Sequence, residues 1–196
     1  MKRFFLTTTF LCLGCLAFAQ SLDLPTFNEN RLERQRTSML ILGSWAIGNI
    51  AVGATLAGQR QGVEREFHIM NAGWNAVNLV LAGVGYYTAV KTDPSSFDLY
   101  QSIQEQQSIE KVLLFNAGLD VGYMLGGLYL MERGKSATKN ADRLEGFGKS
   151  ILLQGAFLFV FDLGAYFYIH SNAKDLEPLL SSLTISGNEI GVVWHF

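Results

Sequence analysis

Two stretches decide how this chain is read: Asn71-Ala72-Gly73-Trp74-Asn75 and Asn116-Ala117-Gly118-Leu119-Asp120. Each lies inside a long apolar run. Each places two polar side chains four residues apart, which on a helix puts both on one face. The runs have the length of membrane spans, where a polar side chain is costly and needs compensation.

Working outward from these stretches, residues 39–58, 67–90, 112–131 and 151–169 read as spans. The first covers roughly 30 Å at about 1.5 Å per residue and carries no charge. The third carries Asp120 and the fourth Asp162. The whole composition agrees: 49% of the 196 residues are hydrophobic, only 16% are charged, and there are 20 Gly. Low charge with abundant Gly is common in membrane helices. A formal charge of −2 gives no broad basic surface, so no nucleic-acid partner is expected.

Residues 1–19 read as a signal peptide. Lys2 and Arg3 form a basic start, an apolar stretch follows, and Ala17-Phe18-Ala19 is a small-x-small cleavage site. Leu13-Gly14-Cys15 also resembles the end of a lipoprotein box, with Cys12 where a Leu is usual. Both cysteines fall within this segment, so the mature chain would have no thiol for a disulfide, a metal or nucleophilic chemistry. Residues 20–38 are polar and end in Asn30-Arg31-Leu32-Glu33-Arg34-Gln35-Arg36, which suggests a short surface helix leading into the first span. A second interfacial helix is expected where Phe97, Tyr100 and Ile103 recur in the connector after the second span. In residues 171–196, Gly187-Asn188 offers a turn and Ile190, Val192, Trp194 and Phe196 alternate after it, which reads as a small β-hairpin outside the membrane. The fold class expected is therefore an all-α membrane protein. It comprises a four-transmembrane-helix bundle over residues 39–170, a short interfacial N-terminal helix and a C-terminal β-hairpin.

Cleavage of the signal leaves both termini on the outer face of a bacterial inner membrane. The connection 132–149 would then be cytoplasmic, and it holds Arg133, Lys135, Lys139, Arg143 and Lys149. That agrees with the positive-inside tendency, although Arg31, Arg34 and Arg36 stand on the opposite side. A weak internal repeat aligns Trp45–Gly53 with Leu119–Gly127.

The residues that could carry function are Asn49, Asn75, Asn78, Asn116, Asp120 and Asp162. On a straight helix Asp120 stands about 12 Å from the outer end of its span and Asp162 about 10 Å from the same side. Asn49 and Asn78 fall near the middle of theirs, so Asp120, Asp162, Asn78 and Asn49 could meet in one layer. Asn75 stands at its margin, and Asn71 serves the inner rim of the bundle. No Lys or Arg lies in any span to pair with the carboxylates. The layer reads as a clasp holding the bundle or a partner, or as a site for a cation or proton in a small transporter or channel-like protein.

No histidine pair stands at metal-ligand spacing, and there is no Gly-x-Ser-x-Gly elbow or phosphate loop, so a non-enzymatic protein without a cofactor is expected. Gly118, Gly122 and Gly126 form a small-residue stripe suited to a homo-oligomer, and the remaining partner is the lipid bilayer. The order of signal, Asn30-Arg31-Leu32, Gly43-Ser44-Trp45-Ala46-Ile47-Gly48-Asn49-Ile50 and Asn71-Ala72-Gly73-Trp74-Asn75 resembles an uncharacterised bacterial family of short four-span membrane proteins. The resemblance implies the architecture and carries no activity.

Overall fold

The computed structural model describes residues 24–176, 183–186 and 189–192; the signal-peptide reading of residues 1–19 and the Gly187-Asn188 turn fall outside them. Four long helices run up and down: α1 (Leu24–Ala57), α2 (Gly62–Lys91), α3 (Leu99–Ser136) and α4 (Ala141–Ala173). At about 1.5 Å per residue they are roughly 45–57 Å long, well beyond the ~30 Å of a bilayer core.

The helix ends follow local chemistry. The α1–α2 connection closes with Arg60 N–H donating to Leu56 O at 2.9 Å, and Gly62 takes a left-handed φ of 58° that suits a residue without Cβ. Asp93-Pro94 stops α2 and starts a short 3₁₀ turn (Pro94–Ser96), where hydrogen bonds from Ser95 hold the Asp93 carboxyl below its usual range. A reciprocal capping box then starts α3: Gln101 N–H donates to Asp98 Oδ1 at 2.8 Å, and Asp98 N–H to Gln101 Oε1 at 3.1 Å. Asn140, at φ 59°, turns the chain into α4.

Helix α2 packs on α1 and on α4, and α3 packs on α4. The close approaches are made by glycine. A Cβ at Gly53 of α1 would lie 2.9 Å from His68 O of α2, and one at Gly146 of α4 would lie 2.5 Å from Val63 O of α2. Between α3 and α4, a Cβ at Gly127 would stand 2.7 Å from Gly148 O, and one at Gly155 would stand 3.0 Å from Asp120 O. Backbones this close leave little room for aliphatic filling. Among the largest fully buried side chains of the described residues, only Ile169 is apolar; the rest, Arg31, Gln106, Gln154 and Asn75 among them, are polar. The big aliphatics face outward instead, with Val80 64% and Val160 70% exposed. An interior of polar and small residues inside an apolar coat is the pattern of a chain whose surroundings are themselves apolar.

The expected fold class is corrected in three respects, while the helical class holds. Three helices, α1, α3 and α4, are long and apolar enough to cross a membrane, not four. Helix α2 falls short because Asn71, Asn75 and Asn78 dilute its hydropathy, and all three are buried. No separate interfacial helix exists among the described residues. Residues 24–38 are the first turns of a continuous α1, with no glycine before Gly43 to interrupt it, and Phe97–Ile103 leads directly into α3. In the tail, residues 171–173 belong to α4 and Lys174–Leu176 is a 3₁₀ turn. What remains is a ladder of two four-residue strands, β1 (Leu183–Ser186) and β2 (Glu189–Val192), paired antiparallel with Leu183 opposite Val192. It adds no layer to the fold, whose body is helical. The expected loop 132–149 shrinks likewise to residues 137–140.

Candidate functional site

The polar residues of the interior divide into three groups along the bundle. At one end, the first turns of α1 cross the ends of the other helices and form a collar. Asn28 Nδ2 donates to Ser102 Oγ of α3 at 2.9 Å, and Asn172 Nδ2 of α4 donates to Phe27 O at 3.2 Å. Arg34 donates to Tyr168 O and Ser171 Oγ near the end of α4, and Arg36 Nε to Ala89 O near the end of α2 at 3.2 Å. Ala89 O is one of the last four carbonyls of α2, an acceptor the helix itself leaves free, and both arginines stand near the negative pole of a helix. Arg31 is buried between Phe97, whose ring centre is 5.0 Å away, and Glu105 at 3.9 Å.

The second group is a clasp across α1, α2 and α4. Trp45 Nε1 donates to Gln154 Oε1 at 3.0 Å, Gln154 Nε2 donates to Asn71 Oδ1 at 2.5 Å, and Asn71 Nδ2 donates to Asn49 Oδ1 at 2.9 Å. Asn49 Nδ2 closes the chain on Trp45 O at 2.9 Å. The Trp45 ring also stacks on Phe157 of α4, with centroids 3.8 Å apart and planes 5° from parallel. Every side-chain polar atom of Trp45, Gln154, Asn71 and Asn49 has a partner. Asn75 sits beside the clasp, fully buried, with Nδ2 donating to Asn71 O at 2.8 Å.

The third group lines a cleft of about 330 Å³. Helices α2 and α3 flank α4 without closing on each other, so a groove runs between them with α4 as its floor. Asn78 and Trp74 line it from α2, Asn116, Asp120 and Tyr123 from α3, and Phe161 and Asp162 from α4. Trp74 and Tyr123 meet edge to face across the groove, with centroids 4.9 Å apart. The Asp120 and Asp162 carboxyls are within hydrogen-bonding reach of each other. Both residues are buried, at 2% and 6% exposure, and no ion pair among the described residues involves either. Asp120 Oδ2 and Asn78 Nδ2 are buried without a hydrogen-bond partner. Arg31 Nε, His68 Nδ1, Asn75 Oδ1, Gln106 Oε1, Ser150 Oγ and Asn172 Oδ1 are unpaired in the same way, so such atoms are spread along the interior; what sets the cleft apart is its facing pair of acids.

Of the residues singled out from the sequence, Asn78, Asn116, Asp120 and Asp162 come together in this cleft. Asn49 and Asn75 do not: Asn49 turns to Asn71, and Asn75 is spent on the α2 backbone. Asn71, expected at the rim, is the hub of the clasp. Sequence reasoning undervalued Trp45 and Gln154. Their signal was the i, i+4 spacing of Trp45 with Asn49 on one helix face and a lone Gln154 in an apolar run, but no sequence rule pairs faces of different helices. The stripe Gly118, Gly122 and Gly126 faces open space, with no atom within 4 Å of an added Cβ.

Clasp and cleft thus define a helical protein that keeps its polar groups inside and turns its apolar ones out, with three helices fit to cross a membrane. Residues 41–163 match the model of a family of unknown function, DUF6992, and the chain belongs to that family. The matched stretch holds the whole clasp and the whole cleft; the arginines of the collar precede it. No curated protein and no solved structure matches the chain.

Proposed function

We propose that this is a multi-pass protein of a bacterial inner membrane that works by binding, not by catalysis. In this reading Asp120 and Asp162 hold a cationic group in the cleft, and the Trp45–Gln154–Asn71–Asn49 clasp holds the helices around it. The observation that carries the reading is a contrast in placement. The clasp closes on itself, whereas Asp120 and Asp162 line an open cleft and enter no ion pair among the described residues. Two facing carboxyls are the most expensive groups in such an interior, and a cation brought by a ligand would offset their cost. Movement of the cation across the bilayer is the fuller form of the same reading.

The orientation proposed puts residues 133–149 on the cytoplasmic side, supported by Arg133, Lys135, Lys139, Arg143 and Lys149. Arg34 and Arg36, which stand against it by simple counting, are engaged with helix-end carbonyls. A second copy of the chain would approach at Gly118, Gly122 and Gly126, where the helix surface is bare.

Carboxyl chemistry tests the reading. A hydrophobic carbodiimide added to the protein in lipid should modify Asp120 or Asp162, read as a mass increase on the peptides that carry them. Absence of modification at both, with surface carboxyls reacting normally with a water-soluble carbodiimide, would refute an accessible acid-lined cleft.

A further inference from the structure

We propose that the ligand of the cleft is a small organic ammonium with an apolar body, an inference that rests on the binding reading above. The volume, about 330 Å³, is that of about ten waters at ~30 Å³ each, and it lies at the lower end of ligand pockets. A bare inorganic ion does not fill it. Among the described residues no group of three His, Cys, Asp or Glu side chains stands together, so the acid pair lacks a third such ligand for a divalent metal.

The lining combines the same two characters as the ligand inferred. Asp120, Asp162 and Asn116 offer polar acceptors, and Leu81, Leu158 and Phe161 are among the apolar side chains beside them. A primary ammonium has three N–H donors for those acceptors, and its charge answers two facing carboxyls that no Lys or Arg neutralises. The edge-to-face pair Trp74–Tyr123 closes part of the wall with aromatic surface, which suits an alkyl or aryl body.

The test uses the full chain in detergent and the amino alcohol 2-amino-1-phenylethanol as probe, with binding read by calorimetry. The probe should bind, and the Asp120→Asn/Asp162→Asn double variant should weaken it at least tenfold. In 1-phenyl-1,2-ethanediol a hydroxyl replaces the amine, and this neutral compound should not compete. Competition by the diol, or by sodium chloride alone, would overturn the organic-cation assignment while leaving a ligand cleft in place. Equal competition by ethanolamine, the bare headgroup fragment, would overturn the apolar body. Failure of the amino alcohol to bind, with carbodiimide still modifying the pair, would overturn the ligand class and spare the binding reading. Undiminished binding to the double variant would overturn both.

Discussion

Gln154 is the side chain on which the interior turns, because it receives from Trp45 of α1 and donates to Asn71 of α2. Replacing it with Leu keeps the bulk but leaves Trp45 Nε1 and Asn71 Oδ1 without partners. Leaving a buried polar group unpaired costs about 1–3 kcal/mol, while interhelical hydrogen bonds in membranes average about 0.6 kcal/mol. Gln154→Leu is therefore expected to lower stability by about 1–3 kcal/mol, measured by denaturant unfolding in detergent; an unchanged midpoint would show that the clasp holds nothing. At this scale the sequence is informative about residue type and silent about partners. Buried Asn and Asp in apolar runs are legible as a polar layer, and depth alone brings Asn78, Asp120 and Asp162 to the cleft they share. Depth cannot assign Asn49, because two groups at one height meet only if their helices are rotated toward each other. That rotation is set by packing that no single run encodes.

Among the elements, the glycines decide which helices touch. Gly126 and Gly127 are neighbours in sequence and lie about 100° apart around the helix. Gly127 is pressed against Gly148 and Leu152, while Gly126 meets nothing within 4 Å. The i, i+4 stripe of Gly118, Gly122 and Gly126 is legible as a face, yet spacing does not say what covers a face. The contact instead uses Gly127, Gly148 and Gly155, whose regularity is visible only when α3 and α4 are laid side by side. The internal repeat aligns Gly53 with Gly127, and each lets the following helix of its pair come close. Gly148→Val should cost about 1–3 kcal/mol or more through overpacking, since a Cβ there would stand 2.6 Å from Gly127 O. Gly122→Val should change monomer stability only modestly, by the helix propensities of the two residues, and should reduce cross-linking between copies in lipid. Equal thermal shifts for the two variants would contradict this division of faces. Helix starts are partly legible: Asp98 followed by Gln101 is a capping box, though it stands in a stretch polar enough to pass for a connector.

At the scale of the whole molecule, the interior and exterior are exchanged relative to a water-soluble bundle. Polar side chains fill the centre, and Val80, Val160 and Phe167 point outward. Hydropathy makes this environment legible, but it counts residues without asking where they face, so α2, whose asparagines are buried, falls below the threshold its neighbours pass. Single cysteines placed by Val160→Cys and Phe167→Cys and spin-labelled should be reached by oxygen dissolved in the lipid, while one placed by Tyr100→Cys, 73% exposed at the collar end, should be reached by a water-soluble nickel chelate. Chelate access at all three positions would place the apolar surface in water. The division of the polar interior into a closed clasp and an open, acid-lined cleft makes a sharper demand. Asp120→Asn/Asp162→Asn preserves the shape of the pair and removes the burden of two facing buried carboxyls. Its unfolding free energy in detergent is the most direct measurement. A binding role for the pair predicts stability equal to or above that of the native chain, and a loss of more than about 1 kcal/mol would show that the aspartates, like the clasp, exist to hold the bundle together.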